Sequence, residues 1–121
     1  MTLEEYQDKA MTTCMESCEN FSYMMLNLVG EVGELASKVA KAIRKEKFAI
    51  KENNLYGQWD TFQEGIDYDK ELEAEAGDIL WQLAGLCQAM GWSLEEIAQE
   101  NLDKLASRHK RGVIDGNGDN R

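Results

Sequence analysis

The chain has 121 residues, 43% of them hydrophobic, and 23 acidic against 13 basic side chains give a formal charge of -10. That size suits a single domain with a modest core, no apolar run approaches the roughly 20 residues of a membrane span, and the negative field repels a nucleic-acid backbone. A small phosphorylated ligand is not excluded, because bound cations invert the local charge.

The amino terminus, "MTLEEYQDK", is acidic and lacks the apolar core of a signal peptide. We expect a soluble, cytoplasmic protein. Cys14, Cys18 and Cys87 are odd in number and have no metal-ligand spacing, so reduced structural thiols are expected. There is no proline, apolar spacing is helical almost throughout, and no convincing alternating strand stands out.

Thr2 and Glu5 form a capping box for a first helix over Leu3 to Cys18. A second helix runs from Ser22 to Lys45 on a stripe of Leu28, Val32, Leu35, Val39 and Ile43. Lys41, Arg44, Lys45 and Lys47 crowd its C-terminal end, where cations suit the helix dipole. The stretch from Phe48 to Asp67 is less periodic and carries Phe48, Tyr56, Trp59 and Phe62. Connections of that length are uncommon unless functional or disordered, and the aromatics favour an ordered loop or a subunit contact. A third helix runs from Asp69 to Met90, ending at Gly91, on a stripe of Leu72, Ala76, Ile79, Leu83, Leu86 and Met90. Ser93 and Glu96 open a fourth helix that reaches Lys110, and Gly112 ends it. The tail "VIDGNGDNR" is polar and glycine-rich.

Two carboxylate pairs stand inside apolar surroundings: Glu31 and Glu34 in "EVGEL", and Glu75 and Asp78 in "EAGDIL". Residues three apart are neighbours on one helix face. Carboxylates set against a core are costly and repel one another, and a hard divalent cation such as Mg²⁺ relieves both problems. With Leu28 at zero, Glu31 falls near 300° and Glu34 near 240°, at one edge of the stripe, with Asn27 and Lys38 on the same side. With Glu75 at zero, Asp78 falls near 300° and the apolar residues lie between about 20° and 80°. The shared handedness lets two antiparallel helices bring both pairs to one cleft; the alternative is two ordinary solvated edges. Gly30, Gly33 and Gly77 beside the acids leave space for close helix approach or for a ligand.

On the fourth helix Asn101, Lys104 and Arg108 lie within about 40° of one another. A Lys and an Arg on one face hold phosphate oxygens, the first as a point charge and the second as a fork. The only histidine, His109, follows on as a surface residue. No His stands three residues after any of the four acids, which argues against a di-iron carboxylate bundle. There is no P-loop, GxSxG elbow or CxxC.

Together "LVGEVGEL", "EAGDILW" and "NLDKLASR" make the chain resemble the MazG-like all-α NTP pyrophosphohydrolases, and "RGVIDGNGDNR" is similar to the tail of small single-domain phage and bacterial members. The resemblance implies an all-α antiparallel bundle of four to five helices, assembled as a homodimer or homotetramer. It implies hydrolysis of a nucleoside triphosphate to the monophosphate and pyrophosphate with Mg²⁺, for which Mn²⁺ can substitute. Glu31, Glu34, Glu75 and Asp78 become metal ligands, and Asn101, Lys104 and Arg108 phosphate-side groups. Asn27, Lys38, Trp59, Trp81, Asp119, Asn120 and Arg121 are candidate nucleotide contacts, although packing is the stronger reading for the two tryptophans. We expect a water to attack the α-phosphorus, with Glu34, or else Glu31, taking its proton, and the tail to order over the phosphates. The competing readings are an acidic helical interaction module without catalysis and a nucleotide or metal sensor.

Overall fold

The computed structural model describes residues 1–121. Four helices carry the chain: α1 (Leu3–Met11), α2 (Phe21–Arg44), α3 (Phe62–Met90) and α4 (Leu94–Lys110), with a two-stranded hairpin, β1 (Phe48–Lys51) and β2 (Asn54–Gly57), between α2 and α3. The all-α expectation holds for the body of the protein and gives way at this hairpin.

Helix α1 opens on the expected Thr2–Glu5 capping box but stops at Met11, well short of Cys18. The Thr12 and Thr13 hydroxyls donate to the carbonyls of Lys9 and Ala10, offering the backbone a way out of the helix. A short 3-10 turn, Glu16–Cys18, follows. Asn20 then accepts from Tyr23 N at 2.8 Å and starts α2. Helix α3 begins at Phe62, seven residues before the expected Asp69, because the Thr61 hydroxyl accepts from Glu64 N and caps it there. Gly91, at φ 70, closes it in the left-handed region as expected.

The strands escape the alternation test because each has only four residues. Their register pairs Phe48 with Gly57 and Lys51 with Asn54, leaving a two-residue turn. Glu52 and Asn53 both take positive φ, 51 and 67, as a type I′ turn requires, without the Asn-Gly signature that would advertise it. Trp59 locks the hairpin to α3: it stacks on Tyr68 at 5.3 Å and meets Phe48 edge-on at 4.9 Å. Gly57 and Gly65 leave it room, since a Cβ at either would lie 1.9 Å or 2.6 Å from its ring.

Contacts between α2 and α3 run in reverse order. Met24 covers Gly85, Asn27 bonds Gln82, Lys38 pairs with Glu75 and Lys47 with Glu64. The two helices are therefore antiparallel. On the other side of α3, Ala84 and Cys87 pack with Leu94 of α4 and with Leu3, Tyr6, Met11 and Leu83 in the apolar core. The buried Gln7 ties this region together. Its amide donates to Gln88 Oε1 and to the Trp92 carbonyl, and its Oε1 accepts from Leu94 N at 2.8 Å, satisfying an orphan donor at the start of α4.

Candidate metal centre

The buried positions of α2 are Met24 and Ala42, both near 320° on the sequence's own wheel, so Glu31 at about 300° lies close to the packed line rather than at its edge. Val32 and Ile43, expected in the core, are exposed. Helix α3 shows the same rotation, with Glu75 itself buried at 8% exposure beside Gln82 at 2%. The helices turn this way because their polar groups satisfy one another across the interface, which a buried polar group requires.

Here Glu31, Glu75 and Asp78 converge, each offering a carboxylate oxygen within 4.8 Å of the others. Glu31 is half-buried and Asp78 exposed. Burial, and after it the charges of Asp78 and Glu75, push the Glu31 carboxyl above its usual range, against a hydrogen bond from Asn27. Lys38 stands 2.8 Å from Glu75 Oε1, and that hydrogen bond raises the lysine's pKa. Burial, and after it the charge of Asp78, raises the Tyr6 hydroxyl of α1. These three carboxylates fit a hard cation. They are all oxygen donors, and they come from two helices to one point.

Glu34 is exposed and outside the converging three, although its charge is felt at Glu31 and Lys38. Asn27 belongs to the site directly. Its Nδ2 reaches Glu31 Oε1 at 3.4 Å and Gln82 Oε1 at 2.7 Å. Gln82 escaped the sequence reading, though a glutamine seven residues after Glu75, about 20° away on the helix, was the available signal.

The basic groups of α4 meet the tail rather than the acids. Asp119 Oδ1 accepts from Lys104 Nζ at 3.2 Å and from Arg108 Nη2 at 2.9 Å, and these two cations hold its carboxyl below the usual range. Arg108 is 4% exposed with its Nε unpartnered. Arg121 fastens the tail by donating to the carbonyls of Val113 and Ile114. Asn101 and Asn120 are exposed, as is His109. Trp59 and Trp81 both pack within the chain: Trp59 closes the hairpin, and Trp81 donates to the Ala10 carbonyl at 3.1 Å.

The MazG nucleotide pyrophosphohydrolase domain model matches residues 19–113, a span that holds all four acids and the basic pair of α4. The chain is 37% identical to the Gene 37 protein of Mycobacterium phage L5 over the whole length of both. It is also 32% identical to the uncharacterized protein YpjD of Bacillus subtilis (strain 168), across 72% of this chain and 65% of that one. Neither name states an activity. No solved structure matches.

Proposed function

The chain belongs to the MazG nucleotide pyrophosphohydrolase family, and from that premise we propose that it hydrolyses a nucleoside triphosphate to the monophosphate and pyrophosphate with Mg²⁺. The observation that supports this most is the convergence of Glu31, Glu75 and Asp78 within 4.8 Å, on the two helices where the resemblance expects metal ligands. Glu31, Glu75 and Asp78 hold the cation, with Glu34 one turn beyond. When bound, the cation supplies Lewis-acid charge for the phosphate oxygens and a water acidified for attack.

The side chains do the rest. Asn27 orients the Glu31 carboxylate by its hydrogen bond and is itself fixed by the buried Gln82. Lys38 neutralises the buried Glu75. Glu34, exposed and next to the cluster, takes the proton from the attacking water. Lys104 and Arg108 bind the leaving phosphates, displacing Asp119 from their cationic face; Asn101, one turn before Lys104, and the tail residues Asn120 and Arg121 border that face.

An exposed apolar face supports a homo-oligomer. Leu26 and Val29 of α2 are 73% and 67% exposed. Exposed Val32 and Leu80 extend this surface, and bare apolar patches of this kind mark interaction sites. No helix is long and apolar enough to cross a membrane, and all three cysteines are free thiols, which suits a reducing cytoplasm.

The test is pyrophosphate release from a panel of nucleoside triphosphates with Mg²⁺ or with a chelator. Release that needs Mg²⁺ is expected. Nucleotide binding without release would select the sensor, and neither binding nor release would leave the interaction module.

A further inference from the structure

An unassigned cavity of about 540 Å³ lies between the end of α1, the following turn, α2 and α3, within the range that holds a small ligand. Its apolar floor is Met24 seated on Gly85, where a Cβ would lie 2.3 Å from the methionine sulfur, together with Ala89. Its polar lining includes Asp8, Glu19 and Gln88 and no cationic side chain.

The cavity lies along the same two helices that carry the carboxylates. Met24 precedes Glu31 by seven residues, and Gly85 follows Asp78 by seven. Each step is two helical turns on the same face, about 10 Å. Asn27 and Gln82, bonded to each other at 2.7 Å, stand between the two along the helices. That separation is one a sugar and its base span from a phosphate at the acids.

We propose that this cavity holds the base of the nucleotide and selects bases that carry an exocyclic amino group. The inference rests on the pyrophosphohydrolase reading and adds the specificity that the acids themselves do not encode. The Asp8 and Glu19 carboxylates accept hydrogen bonds and donate none, so an exocyclic amino group finds acceptors there, while uracil and thymine put a carbonyl oxygen in its place and have only the ring N–H to donate. Gln88 spends its Oε1 on Gln7, which leaves its NH₂ as the donor for a ring carbonyl or ring nitrogen. Met24, 1% exposed and with its sulfur accepting from Gln82 Nε2 at 3.4 Å, gives the cavity a fixed apolar floor.

Ala89 and Asp8 are exposed, so changes there spare the core. Wild type, Ala89→Phe and Asp8→Asn are compared for pyrophosphate release from dCTP, dATP, dGTP, dTTP and dUTP. The midpoint of thermal unfolding against Mg²⁺ concentration reports the carboxylates separately. Wild type is expected to favour the three amino-bearing nucleotides by about tenfold in kcat/KM, the scale on which one pocket contact discriminates. Ala89→Phe raises KM for them by a similar factor, Asp8→Asn narrows the preference, and both keep the wild-type Mg²⁺ response. Unchanged KM in Ala89→Phe, or a preference for dTTP and dUTP, overturns the assignment while leaving the pyrophosphohydrolase reading intact. No release from any nucleotide by the wild type overturns both.

Discussion

Helix α3 is packed on two sides by opposite materials. Toward α1 and α4 it presents Ala84 and Cys87 to Leu94, and the one buried polar side chain that α1 adds, Gln7, has every hydrogen bond it needs. Toward α2 and the turn after it, it presents Glu64, Glu75 and Gln82, matched to Lys47, Lys38 and Asn27. The first contact is complete in itself. In the second, the carboxylates of Glu31, Glu75 and Asp78 bring more negative charge to one point than the chain neutralises. A core that only had to be stable would carry leucine there. That concentration of acids in the α2–α3 seam is what the proposed cation site would use.

The largest effect that sets the two sides apart is on turnover. Asp78→Asn or Glu34→Gln should lower pyrophosphate release by on the order of 10³-fold, the several kcal/mol of transition-state stabilisation that metal-assisted hydrolysis supplies. Far-ultraviolet circular dichroism should stay at the wild-type level. Full activity in either variant removes that residue from the mechanism. The apolar side responds the other way. Leu94→Ala should cost about 3 kcal/mol in urea unfolding as a buried leucine lost from a packed core. Gln7→Leu should cost about 2 kcal/mol by orphaning Leu94 N. If either change lowers kcat/KM in proportion to the loss of turnover at Asp78, the two sides are not separable.

These positions also show what the sequence tells and what it conceals. The helices announce themselves through caps at Thr2, Ser93 and Gly91 and through apolar spacing, and the three converging acids were visible as pairs in apolar surroundings. The rotation of α2 was not, because a wheel drawn from apolar residues assumes that the apolar side is the buried one. Val29 and Val32 are apolar and exposed, while Glu75 and Gln82 are polar and buried; only the partners across the seam reveal the difference. The hairpin was hidden by four-residue strands and a Glu52–Asn53 turn without glycine. The start of α3 at Phe62 was legible in Thr61 and Glu64, whose spacing matches the capping signal read correctly at Ser93.

A smaller effect follows from Glu31. Its carboxyl is raised in the folded protein, so the folded state binds its proton more tightly than the unfolded one does. The stabilising contribution of that proton is fully present below the unfolded pKa and is lost as pH rises through the folded value. In chelator, thermal stability should therefore fall across that rise, and Glu31→Gln should flatten the slope. An unchanged slope in the variant assigns the titration elsewhere.

The smallest effect belongs to the tail. Asp119 is depressed by Arg108 and Lys104, so its hold on α4 is present above the unfolded pKa and is lost as pH falls through the folded one. Asp119→Asn should speed proteolysis after Val113 at neutral pH and leave the unfolding midpoint within error. Equal cleavage in both proteins would show that Arg121 alone holds the tail.

The seam's role rests on one comparison above the others: the thermal midpoint of wild type and of Glu31→Gln, each titrated with Mg²⁺ from a chelated start. A cation that binds only the folded chain raises the midpoint with its concentration. The wild-type midpoint should climb with Mg²⁺, while Glu31→Gln should start higher in chelator and climb less. A wild-type midpoint that does not respond to Mg²⁺, or two proteins that respond equally, would contradict a cation site at Glu31, Glu75 and Asp78.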